Sequence, residues 1–236
     1  GARRPRVTAA RCRRLDAADA AADAGDAEFA LECDEVILAG GMEALKAISR
    51  GSRALGATDE FARFGNLRGT DVLATRLWLD RDVAPPYTAN ACWGFDPKVG
   101  MTVFDLRRLH APTYDAEPGA VLEADFYHAG SLLALDGAAL AAKAKAHVDQ
   151  CLVSSARAAR VVDAAVVRLP RAVNWYFPGS YASLPAVSSE AFENVRFAGD
   201  AVRTSHGSWS QEKACVTGLE AANAALGRAA SDGVVP

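Results

Sequence analysis

Residues 194–227 read NVRFAGDAVRTSHGSWSQEKACVTGLEAANAALG and hold the residue types best placed for ligand chemistry. Val195, Phe197 and Ala198 form a short apolar run that stops at Gly199-Asp200. Glycine lets another group approach the backbone closely, and a carboxylate at a strand's carboxyl end accepts hydrogen bonds from hydroxyl groups. Further on, Ser208 and Gln211 fit the S-x-x-Q capping box, which predicts a helix start whose N–H groups and positive dipole end suit an anionic or carbonyl-rich ligand. Ala214, Gly218, Ala221, Ala222 and Ala225 then predict a low-profile helix face that can lie close against a sheet. The same residues also describe an ordinary strand end and an ordinary capped helix, so the rest of the chain must decide between the two.

Other chemistries find little support. His110, His128, His147 and His206 lack metal-ligand spacing and no H-E-x-x-H pattern is present, so no metal is expected. The segment His206-Gly207-Ser208 lacks the G-x-S-x-G elbow that exposes a nucleophilic serine. Cys12, Cys33, Cys92, Cys151 and Cys215 are scattered and odd in number, which argues against a disulfide framework and a C-x-x-C site and fits a reducing compartment. No side chain is nominated as a catalytic acid or base.

The elements that would position Gly199-Asp200 come from a chain of 236 residues, half of them hydrophobic, enough for one large or two modest domains. The formal net charge is -3, and the basic residues are dispersed apart from Arg3, Arg4, Arg6, Arg11, Arg13 and Arg14, so no nucleic acid is expected as a partner and that cluster reads as solvated surface. No apolar run approaches the roughly 18 residues of a membrane span, which still leaves room for peripheral membrane association.

Strands are expected near 6–14 and 27–33, joined by a hairpin-like Ala/Asp-rich connection at 15–26. Asp34-Glu35-Val36-Ile37-Leu38-Ala39-Gly40-Gly41 predicts a buried parallel strand, followed by a helix through Met42, Leu45 and Ile48. Between Thr70 and Leu135 the runs DVLATRLWLD, ACWGF, MTVFDLRRLH and AVLEADFYHAG alternate apolar and polar residues as antiparallel strands do. A helix follows from Asp136, with Leu140, Ala144, His147 and Cys151 on one stripe. Residues 160–169 predict another strand, and 170–190 a Pro/Gly/Ser-rich connection carrying Trp175, Tyr176, Phe177 and Tyr181. Trp175 and Tyr176 are candidates for a substrate-pocket wall. Trp78, Trp93, Phe95, Phe104, Phe126 and Tyr127 would line an apolar tunnel or fill a core.

With these segments in view, AGDAVRTSHGSWSQEKACVTGLEAAN resembles the C-terminal signature of the flavin-containing amine-oxidoreductase superfamily, in particular its phytoene-desaturase-like and carotenoid-desaturase-like branch. DEVILAGGMEAL is similar to that family's D-x-V-[IV]-L-A strand and helix, and NLRGTDVLATRLWLDRDV with GAVLEADFYHAG is similar to its substrate-domain strands. The resemblance covers most of residues 30–227.

It implies an α/β fold: part of a discontinuous FAD-binding Rossmann-like domain with an inserted β-rich substrate domain. The expected divisions are an FAD-binding part at 1–55, a β-rich substrate domain with its helix at 56–160, and a C-terminal FAD-binding part at 161–236. By the same resemblance Gly199 and Asp200 would meet the ribityl-diphosphate portion of FAD, and Ser210, Gln211, Glu212 and Lys213 would lie at the flavin end of the last helix. The substrate implied is an apolar small molecule, a carotenoid-like isoprenoid to be desaturated or isomerised, and the location implied is a plastid, or the cytoplasm without that analogy.

One element of the family pattern is absent. No G-x-G-x-x-G, the motif that holds the pyrophosphate, occurs in the sequence, and Gly40-Gly41 lacks its spacing. The expectation is therefore a C-terminal portion of a longer protein, or a chain completed by a partner, that alone binds FAD poorly. The alternative is a non-catalytic desaturase-derived subunit or interaction module of a larger assembly.

Overall fold

Alternating apolar residues, two helix stripes and a handful of side-chain caps account for most elements of the computed structural model, which describes residues 3–13, 28–208 and 210–234. In chain order these are β1 (Ala9–Arg13), β2 (Glu28–Glu32), β3 (Val36–Leu38), α1 (Gly41–Gly51), α2 (Arg53–Gly56), α3 (Asp59–Arg63), β4 (Gly69–Leu79), β5 (Ala89–Cys92), β6 (Gly100–Asp105), α4 (Leu106–Leu109), α5 (Ala111–Tyr114), β7 (Val121–Tyr127), α6 (Gly137–Cys151), α7 (Ser154–Ala158), β8 (Val161–Asn174), β9 (Val195–Phe197) and α8 (Ser210–Leu226). The fold is mixed α/β with several sheets. The connection expected at 15–26 lies outside the described residues, as does Arg14. No helix of the described residues is long and apolar enough to cross a membrane.

The chain divides into two compact units, one made of 1–68 with 176–236 and the other of 69–175. The sequence places a strand at 160–169 mostly within the C-terminal part and residues 56–68 within the β-rich part. In the structure β8 pairs along β4 from Gly69↔Asn174 to Leu79↔Val161, and Phe61, Phe64 and Leu67 pack in the core of the first unit, so the divisions fall at 68/69 and 175/176.

In the first unit β3 and β9 run parallel, with Val36, Ile37 and Leu38 opposite Val195, Arg196 and Phe197. Val195 and Phe197 are fully buried, but Ile37 is 44% exposed. The expectation of a wholly buried strand at 36–38 is corrected accordingly. The core beneath is aromatic: Phe61 and Phe64 meet edge-on at 5.2 Å between centroids, and Phe197 lies 5.6 Å from each, an arrangement the ring quadrupoles favour.

Polar groups hold this core in register. Asn194, wholly buried, accepts from Val7 N and donates to the carbonyls of Val7 and Asp34. Glu60, also buried, accepts from Ser189 Oγ and from the backbone N–H groups of Glu190 and Ala191. The basic residues at the start of the chain are exposed, as expected of a solvated surface, and Arg3 and Arg6 both pair there with Glu193 while Arg4 donates to Ser189 O.

The second unit is a five-stranded antiparallel sheet in the order β5-β6-β7-β4-β8. Leu73, Leu77, Met101, Val103, Leu122, Ala124 and Phe126 alternate onto one face, where Leu140, Ala144 and Val148 of α6 cover them. Asp136 caps α6 by accepting from Ala139 N at 2.7 Å, worth about 1 kcal/mol. The opposite face carries Trp78, Phe104, Glu123, Asp125 and Tyr127, all half-buried. Of the aromatic residues expected to line a tunnel or a core, Phe126 is core, Phe95 packs against it, and Trp93 is 75% exposed.

Candidate functional site

Parallel pairing brings the carboxyl ends of β3 and β9 side by side. Ala198 N donates to Leu38 O, so Ala39-Gly40-Gly41 and Gly199-Asp200 leave the same edge of the sheet. Gly40 is needed where it stands, because a Cβ there would meet Ala44 Cβ at 2.8 Å as α1 begins. Gly199 is needed for a different reason: its φ of +126° belongs to backbone that side-chain-bearing residues rarely adopt, while the space a Cβ would occupy holds no atom within 4 Å. The backbone at the end of β9 therefore lies open to close approach.

Thr217 of α8 fixes that backbone from behind. Its Oγ1, fully buried, accepts from Gly199 N and lies at donor distance from the carbonyls of Gly199 and Lys213, each contact 2.9 Å. The turn joining β9 to α8 is anchored as well: Thr204 donates to Glu220, His206 N donates to Thr204 Oγ1, and Ser208 N donates to His206 Nδ1.

Tyr176 donates to the Asp200 carbonyl at 2.8 Å, and the Lys213 ammonium stands 5.6 Å from the centre of the Tyr176 ring. Burial pulls the Lys213 pKa below the usual lysine value, against the opposing influence of the Asp200 carboxylate. The structure thus brings Gly199, Asp200, Tyr176 and Lys213 together, while Ser210, Gln211 and Glu212 lie exposed on the first turn of α8. The small-residue face is only partly realised: Ala221 is buried beside Val216 and Thr217, whereas Ala214, Gly218, Ala222 and Ala225 are half-buried.

The capping box is overturned. The helix begins at Ser210, itself at a left-handed φ of 54°, and the Ser208 hydroxyl is buried without a hydrogen-bond partner among the described residues. Ser208 stands two residues before the helix, a position from which its side chain does not reach the first-turn N–H groups.

Chemically, the site pairs acceptors with donors. Asp200 is acidic, Lys213 is cationic, and the start of a 17-residue helix adds backbone N–H groups and a positive dipole end. The Asp200 carboxylate accepts hydrogen bonds from hydroxyl groups, and the helix start donates to carbonyl or anionic oxygens. Among the described residues no group of His, Cys, Asp and Glu could hold a metal ion.

Trp175 is positioned elsewhere, in the second unit. With Gly69, Thr70, Asp71, Lys98 and His128 it lines an open cleft of about 650 Å3 at one end of the sheet. Thr70 Oγ1 and His128 Nδ1 are 2.9 Å apart, and Asp71 accepts from Arg171 N. Lys98, His128 and Arg171 all adopt left-handed backbone there, at φ of 67°, 56° and 54°. Tyr176 takes no part in this cleft.

Sequence reasoning missed Thr217 and Asp125. The signal for Thr217 was a lone β-branched hydroxyl in an Ala/Gly-rich helix, one turn after Lys213. Asp125 carried the signal of a second acid, after Glu123, inside a strand whose other residues are apolar or aromatic. It stands on the half-buried sheet face with one carboxylate oxygen sealed from water and unpartnered, and burial followed by the charge of Glu123 raises its pKa to about 6.

No protein-family model matches this chain. A carotenoid phi-ring synthase from Streptomyces griseus is 33% identical to it over 201 residues, or 83% of this chain. The chain spans 37% of that protein's length.

Proposed function

We propose that this chain is the flavin-facing portion of an FAD-dependent oxidoreductase that acts on a carotenoid-like isoprenoid. The observation that carries the flavin reading is the open backbone at Gly199, clamped by Thr217 and followed by Asp200 and the start of α8. The carotenoid reading is supported by the similarity to the carotenoid phi-ring synthase.

In this reading Gly199 lets the cofactor's ribityl chain pass close to the backbone, and Asp200 accepts from its hydroxyls. The first turn of α8, from Ser210 to Lys213, would offer its N–H groups to the carbonyl groups of the flavin. When bound, FAD supplies the oxidising equivalents for removing hydrogen from the substrate. Thr217 and Tyr176 keep the Gly199-Asp200 backbone from shifting. The pyrophosphate has no glycine-rich cradle in this sequence, so the grip on FAD is shared with protein outside it.

The test is anaerobic titration of the longer protein that contains this chain, purified with its flavin, against a panel of polyenes and amines. Bleaching of the flavin band by a polyene and not by an amine is the expected result. Absence of flavin after purification, or bleaching by amines alone, would overturn the proposal.

A second reading is favoured by β8. This 14-residue strand lies at the edge of its sheet with Val162 63%, Val167 52% and Val173 43% exposed, and such an edge invites another strand. A desaturase-derived interaction module would use it to join a larger assembly. Cross-linking of the native material with β8 protected from hydrogen exchange, and no flavin, would favour that reading over the first.

A further inference from the structure

Three consecutive turns of α6 meet the short segment 92–96 in the second unit. Lys143 Nζ lies 2.9 Å from both carboxylate oxygens of Asp96. One turn on, His147 stacks on Phe95 with centroids 4.0 Å apart and places Nε2 3.4 Å from Asp96. One turn further, Cys151 Sγ lies 3.2 Å from Cys92 Sγ. Spaced four residues apart, Lys143, His147 and Cys151 share one helix face. The ion pair and the ring stack above hold the two sulfurs in register.

We propose that Cys92 and Cys151 are a dithiol site that closes reversibly to a disulfide, joining edge strand β5 to the end of α6. The sulfurs need to approach by only about 1 Å to reach bonding distance near 2.05 Å. The partners differ in access, since Cys92 is 6% exposed and Cys151 only partly buried. Cys151 is therefore the sulfur an outside disulfide meets first. Its thiolate attacks one sulfur of a small-molecule disulfide such as oxidised glutathione and expels one glutathione thiolate, leaving a mixed disulfide on Cys151. Cys92, deprotonated as it attacks, then displaces the second glutathione from Cys151. Two protein thiols are oxidised by two electrons, one glutathione disulfide is reduced to two thiols, and the two protons end on the released glutathiones.

Burial, and after it the neighbouring Cys92, push the Cys151 thiol up to about 12. Cys151 therefore rests protonated and reacts slowly, as a store of reducing equivalents and not as a fast nucleophile. The site lies wholly in the second unit and does not depend on the flavin reading.

The experiment equilibrates the full chain in glutathione buffers from fully reduced to fully oxidised, quenches with acid, alkylates the remaining thiols and maps the peptides by mass. The expected result is a peptide pair linked through Cys92 and Cys151, with two alkylatable thiols lost together. Exposed Cys215 on α8 serves as the internal control and should carry glutathione only. In Cys92→Ser the reaction should stop with glutathione on Cys151. If Cys92 and Cys151 both remain alkylatable after Cys215 has exchanged, or wild-type Cys151 stops at the glutathione adduct, the proposal is wrong. The wild-type map decides the matter even if the serine variant fails to fold.

Discussion

Thr217 Oγ1 lies 2.9 Å from both the N and the O of Gly199, so one hydroxyl of α8 braces both faces of the residue that ends β9. Thr217→Val keeps the shape of the side chain but removes its acceptor and donor inside a buried site. We expect a loss of about 1–3 kcal/mol, read as a lower denaturant midpoint at unchanged slope. Thr217→Ser, which keeps the hydroxyl, should recover most of it. Equal losses in both variants would assign the effect to packing.

Asp200 offers the open carboxylate beside that backbone. On the proposed flavin reading, Asp200→Ala should lower the fraction of molecules that retain flavin through gel filtration, by about tenfold in affinity if one charged hydrogen bond worth roughly 1.5 kcal/mol is lost. Absorbance of the released flavin measures it. Because the side chain is not part of the core, the melting midpoint of the flavin-free protein should stay within about 1 °C, corresponding to well under 0.5 kcal/mol.

Glu60 is buried and accepts from Ser189 Oγ and the N–H groups of Glu190 and Ala191. Glu60→Ala removes the acceptor of the buried Ser189 hydroxyl and of the part-buried Glu190 N–H, while Ala191 N keeps Ser189 Oγ, and should destabilise the protein by about 2 kcal/mol. Hydrogen exchange should locate the loss at residues 189–192, with the sheet of the second unit unaffected.

Asp125 gives a pH signature of the opposite sign to most carboxylates. Its folded pKa of about 6 lies above the ordinary value of 3.8, so between these values the folded state holds a proton that the unfolded state has released. Its contribution therefore falls as pH rises through that window and is fully lost above pH 6. Asp125→Asn should be more stable than the parent above pH 7 and should converge with it near pH 4. Thermal melts of both proteins across that range are the check; parallel curves would rule the shift out.

Some of this was legible in the residues and some was not, for physical reasons. The parallel pairing of β3 could be read because a short apolar run ending at glycines leaves few other partners, and α6 because Asp136 stands at its cap position. The end of β8 could not be read. Pro170 looked like punctuation, yet on an edge strand the outward N–H is dispensable, and the strand runs on through a register shift that places Arg171 in left-handed backbone. Ser208 looked like a cap because spacing cannot say where a helix's first turn closes. Cys92 and Cys151, 59 residues apart in sequence, meet only because α6 folds back over the sheet.

The β-rich unit enters the chain at Gly69 and departs after Asn174, and those two residues are ladder partners. Entrance and exit thus share one doorway, and a strand pair already zipped there makes the whole sheet a cassette: exchanging it for another of different face chemistry would leave the joint on either side undisturbed.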